Sequence, residues 1–419
     1  MGPGTFVNTS HYPSRQETNQ KYDLPLLLVI ITLVVFGLVM LFSASWDFSL
    51  AAYEDPMYLF THQLRWLGLG VLVALVLSRF DYHHWRKLVV PALAVTILML
   101  LYVLVMGETH LGVQRDVCKQ GSCQPSELAK LVSILYLGVW LYAKREALHD
   151  ISFGLVPLGV ILGVVCGLIY LQPDLSAAAT VLILGGLLFF LAGGDIRQIG
   201  VLLVVALVVG WLVVQFSVTG RQRVDDFVAG IKDPLQASYH VRRSFEAIVN
   251  GGWIGVGIGQ SKTKLTGLPV PPTDSIFAVV AEELGLLGSF LLIGLYATLV
   301  WRGLVIARRA PDMLGTYLAS GLVLWIGLEA MINITVMVGL LPFAGNALPF
   351  VSYGGSSLVV GLCAIGILFN ISRQQGEATL TDEEWRSHSA FVNLRWWNRR
   401  RRISRTRRPT GSGSQTTLS

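Results

Sequence analysis

Apolar runs near the length that crosses a hydrocarbon core of ~30 Å as a helix, roughly 17 to 25 residues, recur along this chain and constrain its fold more than any other feature. Ten of them cover 24–42, 64–77, 88–106, 127–142, 153–171, 175–191, 196–216, 275–301, 315–340 and 352–369. Backbone polar groups inside a bilayer must be satisfied within the segment, which makes each run a helix. With 53% hydrophobic and only 14% charged residues, against roughly a quarter charged in soluble domains, the chain cannot be an ordinary soluble globule. The reading is an all-α polytopic membrane protein of about ten transmembrane helices, with one large extracytoplasmic loop between helices 7 and 8.

Cytoplasmic loops carry the excess of Lys and Arg. Arg79, Arg86 and Lys87, Lys144 and Arg145, Arg197, and Arg302, Arg308 and Arg309 all fall on the side that holds both termini. Three parts follow: a cytoplasmic tail over 1–23, a membrane domain over 24–372 with the large outer loop at 218–273, and a basic cytoplasmic tail over 373–419. The last contains eight arginines between Arg395 and Arg408, without which the net charge of +6 becomes −2. Such a tail binds anionic lipid or an acidic partner, or is simply a solvated anchor. The run 24–42 is too long for a signal-peptide core and follows a long polar tail, so it is read as a span. Cys118 and Cys123 share an outer loop where a local disulfide is open to them.

A loop of more than 50 residues in a compact protein is functional or disordered. The content of 217–273 argues for order, since Phe227, Phe245, Trp253 and Ile254 are apolar anchors and the stretch around Ser244–Ile248 has the spacing of a short amphipathic helix. Its net positive charge suits a pyrophosphate, for which Arg supplies a planar fork, or equally a solvated surface. The glycines from Gly251 to Gly259 lack the preceding strand of a nucleotide-binding turn and imply close backbone packing.

At the end of this loop a proline-stiffened stretch, Leu268-Pro-Val-Pro-Pro-Thr-Asp274, places a carboxylate at the start of the next apolar run. Asp274 there is an N-cap or a surface group facing a cationic bay. Glu282 and Glu283 fall two turns further into that run, where an ionised side chain costs about 2.5–3.5 kcal/mol, so at least one must face a polar interior. Glu329, mid-span near Asn333, needs a partner that the sequence does not name. Gln124-Pro-Ser-Glu-Leu-Ala-Lys130 makes a self-capped helix start with Glu127 and Lys130 on one face. Gln172-Pro-Asp174 repeats that logic, with Asp174 as a cap or a polar lining group. The stretch 339–357, with two prolines and many small residues, reads as non-helical backbone lining a protein cavity.

Together these stretches resemble the SEDS (FtsW/RodA) family of bacterial cell-wall glycosyltransferases over nearly the whole membrane region. The pieces lie in the family's order: Gly37 to Ser45, Gln124 to Lys130, Gln172-Pro-Asp174, Arg221 with Asp233-Pro234 and Tyr239 to Ile248, Gly251-Gly252, Thr273-Asp274 with Glu282-Glu283-Leu-Gly285, and Leu348 to Ser357. The extended cytoplasmic tails are nearer the division branch than the elongation branch. The resemblance implies a ten-helix enzyme that polymerises lipid II, by inversion, on the outer face of the bacterial cytoplasmic membrane at the septum. Asp274 is then the general base and Arg221, aided by Lys264 or a divalent cation (Mg or Mn), stabilises the leaving pyrophosphate. Lys262, Glu127, Lys130, Ser352, Gly354 and Gly355 are the further substrate-binding candidates, while Glu282, Glu283, Asp174 and Glu329 line the polar interior. The implied partners are lipid II and the nascent lipid-linked glycan, a class B penicillin-binding transpeptidase, other divisome proteins and membrane lipids, and not nucleic acid. The chain departs from the family pattern at Val270-Pro271-Pro272, where Glu-Ala-His is usual, and at Ser275, Asp116 and His240. The rival reading is transport, as a lipid II flippase or a carrier that uses the intramembrane glutamates.

Overall fold

The computed structural model describes residues 22–106, 108–110, 113–116, 124–146, 148, 150, 154–172 and 174–374. The Cys118/Cys123 pair, the first 21 residues and the arginine-rich tail lie outside the described residues. Thirteen α-helices make up most of the described chain: α1 (Leu24–Tyr53), α2 (Tyr58–Arg79), α3 (Trp85–Met106), α4 (Pro125–Lys144), α5 (Val156–Leu171), α6 (Leu175–Leu191), α7 (Ile196–Phe216), α8 (Val218–Lys232), α9 (Tyr239–Gly251), α10 (Ile276–Glu283), α11 (Gly285–Arg308), α12 (Met313–Met337) and α13 (Gly355–Arg373). A small antiparallel hairpin, β1 (Glu108–His110) and β2 (Val113–Asp116), joins α3 to α4. Eight helices are long and apolar enough to cross a membrane, and α5 and α6 are shorter apolar helices. The chain is a multi-pass membrane protein.

The ends of the spans are set by local chemistry. Asp23 accepts from Leu26 N at 2.9 Å to start α1, and its other oxygen takes Arg302 Nη2 at 2.6 Å, tying that start to the last turns of α11. Asp312 starts α12 in the same way through Gly315 N. α12 lies at the centre, packed by α4, α6 and α11, and α13 runs along α2. The α2–α13 contact is backbone-close: a Cβ at Gly366 would lie 2.6 Å from Ala74 O. Small residues that let helices approach are the usual means of association where lipid supplies no hydrophobic drive.

One region differs from the sequence expectation. The run 275–301 is not one helix, because the chain breaks at Gly285, which has φ +68°. Residues 251–257 lie against this break, so that a Cβ at Gly255 would come within 2.2 Å of Glu283 O and one at Gly285 within 2.4 Å of Gly255 N. Val256 N donates to Glu282 O, Gly257 N to Glu283 O, and Leu286 N to Gly252 O, all at 2.9–3.0 Å. The groups that the break removes from the helix ladder therefore find partners in the glycine loop. Glu282 and Glu283 sit at the end of α10 beneath that loop, rather than two turns inside a continuous span.

The segment that follows α7 is ordered, as its apolar anchors imply, and folds as α8, a 3-10 turn over Pro234–Gln236, and α9, which contains the amphipathic Ser244–Ile248 stretch. Ser217 caps α8 through Gly220 N at 3.0 Å. α9 buries Val241, Ser244, Ala247 and Gly251, a spacing that keeps one face inward.

Candidate active site

Asp274 lies in the turn just before α10, and Ser275 occupies the cap position. Three groups from the far end of the chain hold this turn. Ser352 Oγ donates to Thr273 O at 2.6 Å, Tyr353 N donates to Pro272 O at 2.7 Å, and Asn333 Nδ2 donates to Asp274 O at 3.0 Å and to Asn346 O at 2.5 Å. All act on backbone carbonyls, so they fix the position of the residue through its main chain. That half-buried carboxylate faces the non-helical stretch after α12: a Cβ at Gly345 would lie 3.4 Å from Asp274 Oδ2 and 3.9 Å from Phe343 Cε1. Gly345 has φ +65°, so both conformation and space favour glycine there.

Phe343 forms the adjoining wall. His240 of α9 stacks on it with ring centroids 4.0 Å apart, and the Arg223 guanidinium of α8 lies 5.6 Å from the ring centre. Burial first, and then the positive charge of Arg223, push the His240 imidazole below its ordinary pKa. The neutral ring is the form suited to this stack.

The basic residues that the sequence singles out are distributed differently. Arg221 is exposed, donates to Gln215 O, and lines a separate open hollow of ≈ 650 Å³ with Gln222, Asp225 and Asp226. Two positions apart on one helix means nearly opposite faces, so Arg221 and Arg223 cannot serve one cleft. Lys264 is internal: its Nζ reaches Glu283 Oε1 at 2.9 Å and Ser43 O, Ser43 Oγ and Gly259 O at 3.1 Å each. Lys262 keeps an exposed side chain, while its backbone N donates to Glu282. Glu282 accepts further from Ser261 Oγ, Thr263 N and Thr263 Oγ1, which makes it the anchor of the 261–263 turn.

Glu127 and Lys130 pair as their spacing requires, at 3.0 Å, and Glu329 of α12 is the third member, in contact with the same ammonium. The partner that Glu329 demands is therefore Lys130, which also lies 5.8 Å from the Trp325 ring centre. Asp174 caps α6 through Ala177 N at 3.1 Å and accepts from Ser176 Oγ. Gly354 N donates to Gln63 Oε1, and Gly355 permits Trp66 to approach, a Cβ there lying 2.5 Å from Trp66 Nε1. Of the sequence-derived set, Ser352 alone directly supports the Asp274 turn. Arg223, Phe343, Asn333 and Gly345 complete the site and were not assigned to it from sequence. For Arg223 the signal is helix phase: Arg223, Phe227 and Gly230 recur at i, i+4 and i+7 and line one small cavity.

Among the described residues, no group of three or more His, Cys, Asp or Glu side chains is placed to hold a metal ion. The donor set thus does not form a preassembled cation cage around Asp274.

The sequence profile of the FtsW/RodA/SpoVE family, described as "Cell cycle protein", matches residues 24–377. The chain belongs to this family. It is similar to "Probable peptidoglycan glycosyltransferase FtsW" of Geobacter metallireducens, with 38% identity over 356 residues, 84% of this chain and 95% of that relative. It is also 36% identical to "Stage V sporulation protein E" of Bacillus subtilis over 366 residues, 85% of this chain and 99% of that one. Among solved structures, a chain from work on "structural coordination of polymerization and crosslinking by a peptidoglycan synthase complex" matches with TM-score 0.70 and 29% identity, covering 85% of this chain and 99% of its own. The rod shape determining protein RodA of Thermus thermophilus matches with TM-score 0.63 and 26% identity, covering 85% and 98%.

Proposed function

We propose that this family member is an inverting peptidoglycan glycosyltransferase that polymerises lipid II on the outer face of the cytoplasmic membrane during division, with Asp274 as general base. The observation that carries the reading is the Asp274 turn, whose carbonyls are held by Ser352, Tyr353 and Asn333 while Oδ2 of its carboxylate lies beside Gly345 of the non-helical stretch after α12. The names of the relatives and the peptidoglycan synthase complex support the same chemistry.

In the reaction, the 4-hydroxyl of the acceptor sugar attacks the anomeric carbon of the lipid-linked donor. The new bond from oxygen to the anomeric carbon forms as the bond from that carbon to the pyrophosphate oxygen breaks. The electron pair leaves with undecaprenyl pyrophosphate and the hydroxyl proton passes to Asp274. A positioned carboxylate contributes roughly 10²- to 10⁴-fold to such a step. The partner is a class B transpeptidase that crosslinks the strands, with both tails of this chain cytoplasmic and the assembly at the septum. Magnesium or manganese enters as a counter-ion of the substrate pyrophosphate rather than as a resident of a protein cage, since Mg²⁺ typically binds one or two carboxylates together with substrate phosphates.

The test is strand formation from purified lipid II in liposomes, with the cognate transpeptidase and with or without each cation, comparing wild type with Asp274→Ala. Loss of polymer in a variant that melts like the wild type is expected. Equal polymer from both removes Asp274 from the chemistry. Lipid II that crosses the bilayer without polymer from either protein selects the flippase.

A further inference from the structure

The glycine loop that packs on the break at Gly285 turns apolar side chains outward. Ile254 is 81% and Trp253 69% exposed, and Val249 before them and Ile258 after them are exposed as well. The loop sits at the start of a membrane span, so depth decides what these side chains meet. The ion pair of Arg302 with Asp23, at the start of α1, marks one edge of the hydrocarbon, because charge is costly further in. At a rise of ~1.5 Å per residue, α11 from Arg302 back to Gly285 measures about 26 Å, against a hydrocarbon core of ~30 Å. Any tilt shortens that reach. Gly285 therefore lies at the opposite edge of the core, and Trp253 lies with it, since Leu287 N donates to Trp253 O at 3.1 Å.

Non-helical backbone at that depth needs its polar groups satisfied. The Gly251, Gly252 and Trp253 carbonyls accept from Gly255, Leu286 and Leu287 N, and Val256 and Gly257 N donate to the Glu282 and Glu283 carbonyls of α10. The outward surface is also continuous with the span. Leu287, Phe290 and Leu291 share one face of α11 at i, i+3 and i+4 and are all exposed, and that stripe begins at the hydrogen bond from Leu287 to Trp253. Tryptophan, with a broad apolar ring and a single N–H, suits the edge of a bilayer. We infer that the glycine loop is an interfacial membrane anchor: Trp253 and Ile254 insert into the leaflet on the Asp274 side, at the boundary of acyl chains and headgroups, and the partner of this surface is lipid. The anchor ties the end of α10 to the bilayer, and α10 begins just after the Asp274 turn. It is independent of the reaction at Asp274.

The experiment uses the full chain in liposomes of phosphatidylethanolamine and phosphatidylglycerol. The photoreactive residue p-benzoylphenylalanine replaces Ile254, Trp253, Phe290 or Glu246 one at a time, and mass spectrometry reads the lipid adduct after irradiation. Phe290 reports the lipid-facing stripe of α11, and Glu246 an exposed polar position on α9. Two positions in the loop keep the test intact if one variant misfolds, which its melting temperature shows. Adduct at Ile254 and Trp253 should come within about threefold of Phe290 and exceed Glu246 at least about tenfold, as expected of side chains at the acyl boundary. It should persist when the cognate transpeptidase is added. Yields at the loop equal to that at Glu246, while Phe290 labels lipid, overturn the anchor. Adducts that form wholly on a second copy of the chain, or that move wholly to the transpeptidase, also overturn it, since the patch is then a protein interface.

Discussion

Lys130 and Lys264 are both buried lysines paired with glutamate, yet they differ in stoichiometry, and the difference separates a staple from an unbalanced node. The Lys264 ammonium meets one carboxylate, on Glu283, and three neutral acceptors, while Glu283 also takes Ser43 Oγ on both oxygens at 2.6 and 2.7 Å. One ammonium meets one carboxylate, and α1, the 252–268 loop and α10 are joined at one point. The Lys130 ammonium meets two carboxylates, from its own helix and from α12. Two carboxylates thus share one ammonium deep in the bundle, where the staple pairs one with one. Buried pairs of either kind contribute little net stability, but breaking one leaves a desolvated charge.

The largest expected effect is therefore Lys130→Met, which strands both Glu127 and Glu329 and should cost about 3–5 kcal/mol. Thermal unfolding followed by size-exclusion chromatography would show it as a collapse of the monodisperse peak. Adding Glu127→Gln and Glu329→Gln to the same chain should restore most of the peak. No recovery would mean that packing, not charge, holds the node. Lys264→Met should cost less, about 1.5–3 kcal/mol, because Ser43 still donates to Glu283, and Glu283→Gln on top of it should return the loss. Limited proteolysis of the 252–268 loop is the readout. Should Lys264→Met instead abolish polymer while leaving the loop protected, its ammonium touches substrate and the staple description fails.

A smaller effect is expected from Glu329→Gln, which leaves Lys130 and Glu127 in a balanced pair. Its melting temperature should stay within the shift that about 1 kcal/mol produces, whereas Glu283→Gln, which removes the carboxylate paired with Lys264, should exceed it. Equal shifts would erase the distinction between the two lysines.

Much of this arrangement was legible in the sequence and some of it could not be. The apolar runs located the helices because length and polarity decide membrane crossing by themselves. The i,i+3 spacing of Glu127 and Lys130 announced their pairing, whereas Glu329 as the third member depends on how α12 rotates against α4, a tertiary fact. The break at Gly285 was hidden because its neighbours Leu284, Leu286 and Leu287 continue an apolar pattern, and only the approach of the Gly251–Gly257 backbone shows why glycine is needed. Arg221 stands out by motif alone, and its direction depends on the phase of α8, which a loop-length polar segment does not reveal.

The smallest expected effect concerns pH and lies in the wall beside Asp274. His240 is held below its ordinary value near 6.5 by burial and then by Arg223 on the facing helix, with Arg242, Arg243 and Glu246 on its own helix, Asp226 beside Arg223, and Asp274 across Gly345. The stretch after α12 contributes Phe343 to the stack and no charged side chain. Because the folded pKa is the lower one, the unfolded chain takes up a proton first as pH falls through 6.5, so stability drops below that pH and is recovered as pH rises. Protonation also sets a positive ring beside Arg223 and weakens the packing on Phe343. Activity and melting temperature should both decline between about pH 7 and 5, and His240→Gln, which keeps a polar side chain without a titrating proton, should flatten that decline by a few-fold at most. An acid limb unchanged in His240→Gln assigns it to another group, whereas a flattened limb with unchanged activity at pH 7.5 shows that the stack tunes the wall around Asp274 without taking part in the chemistry.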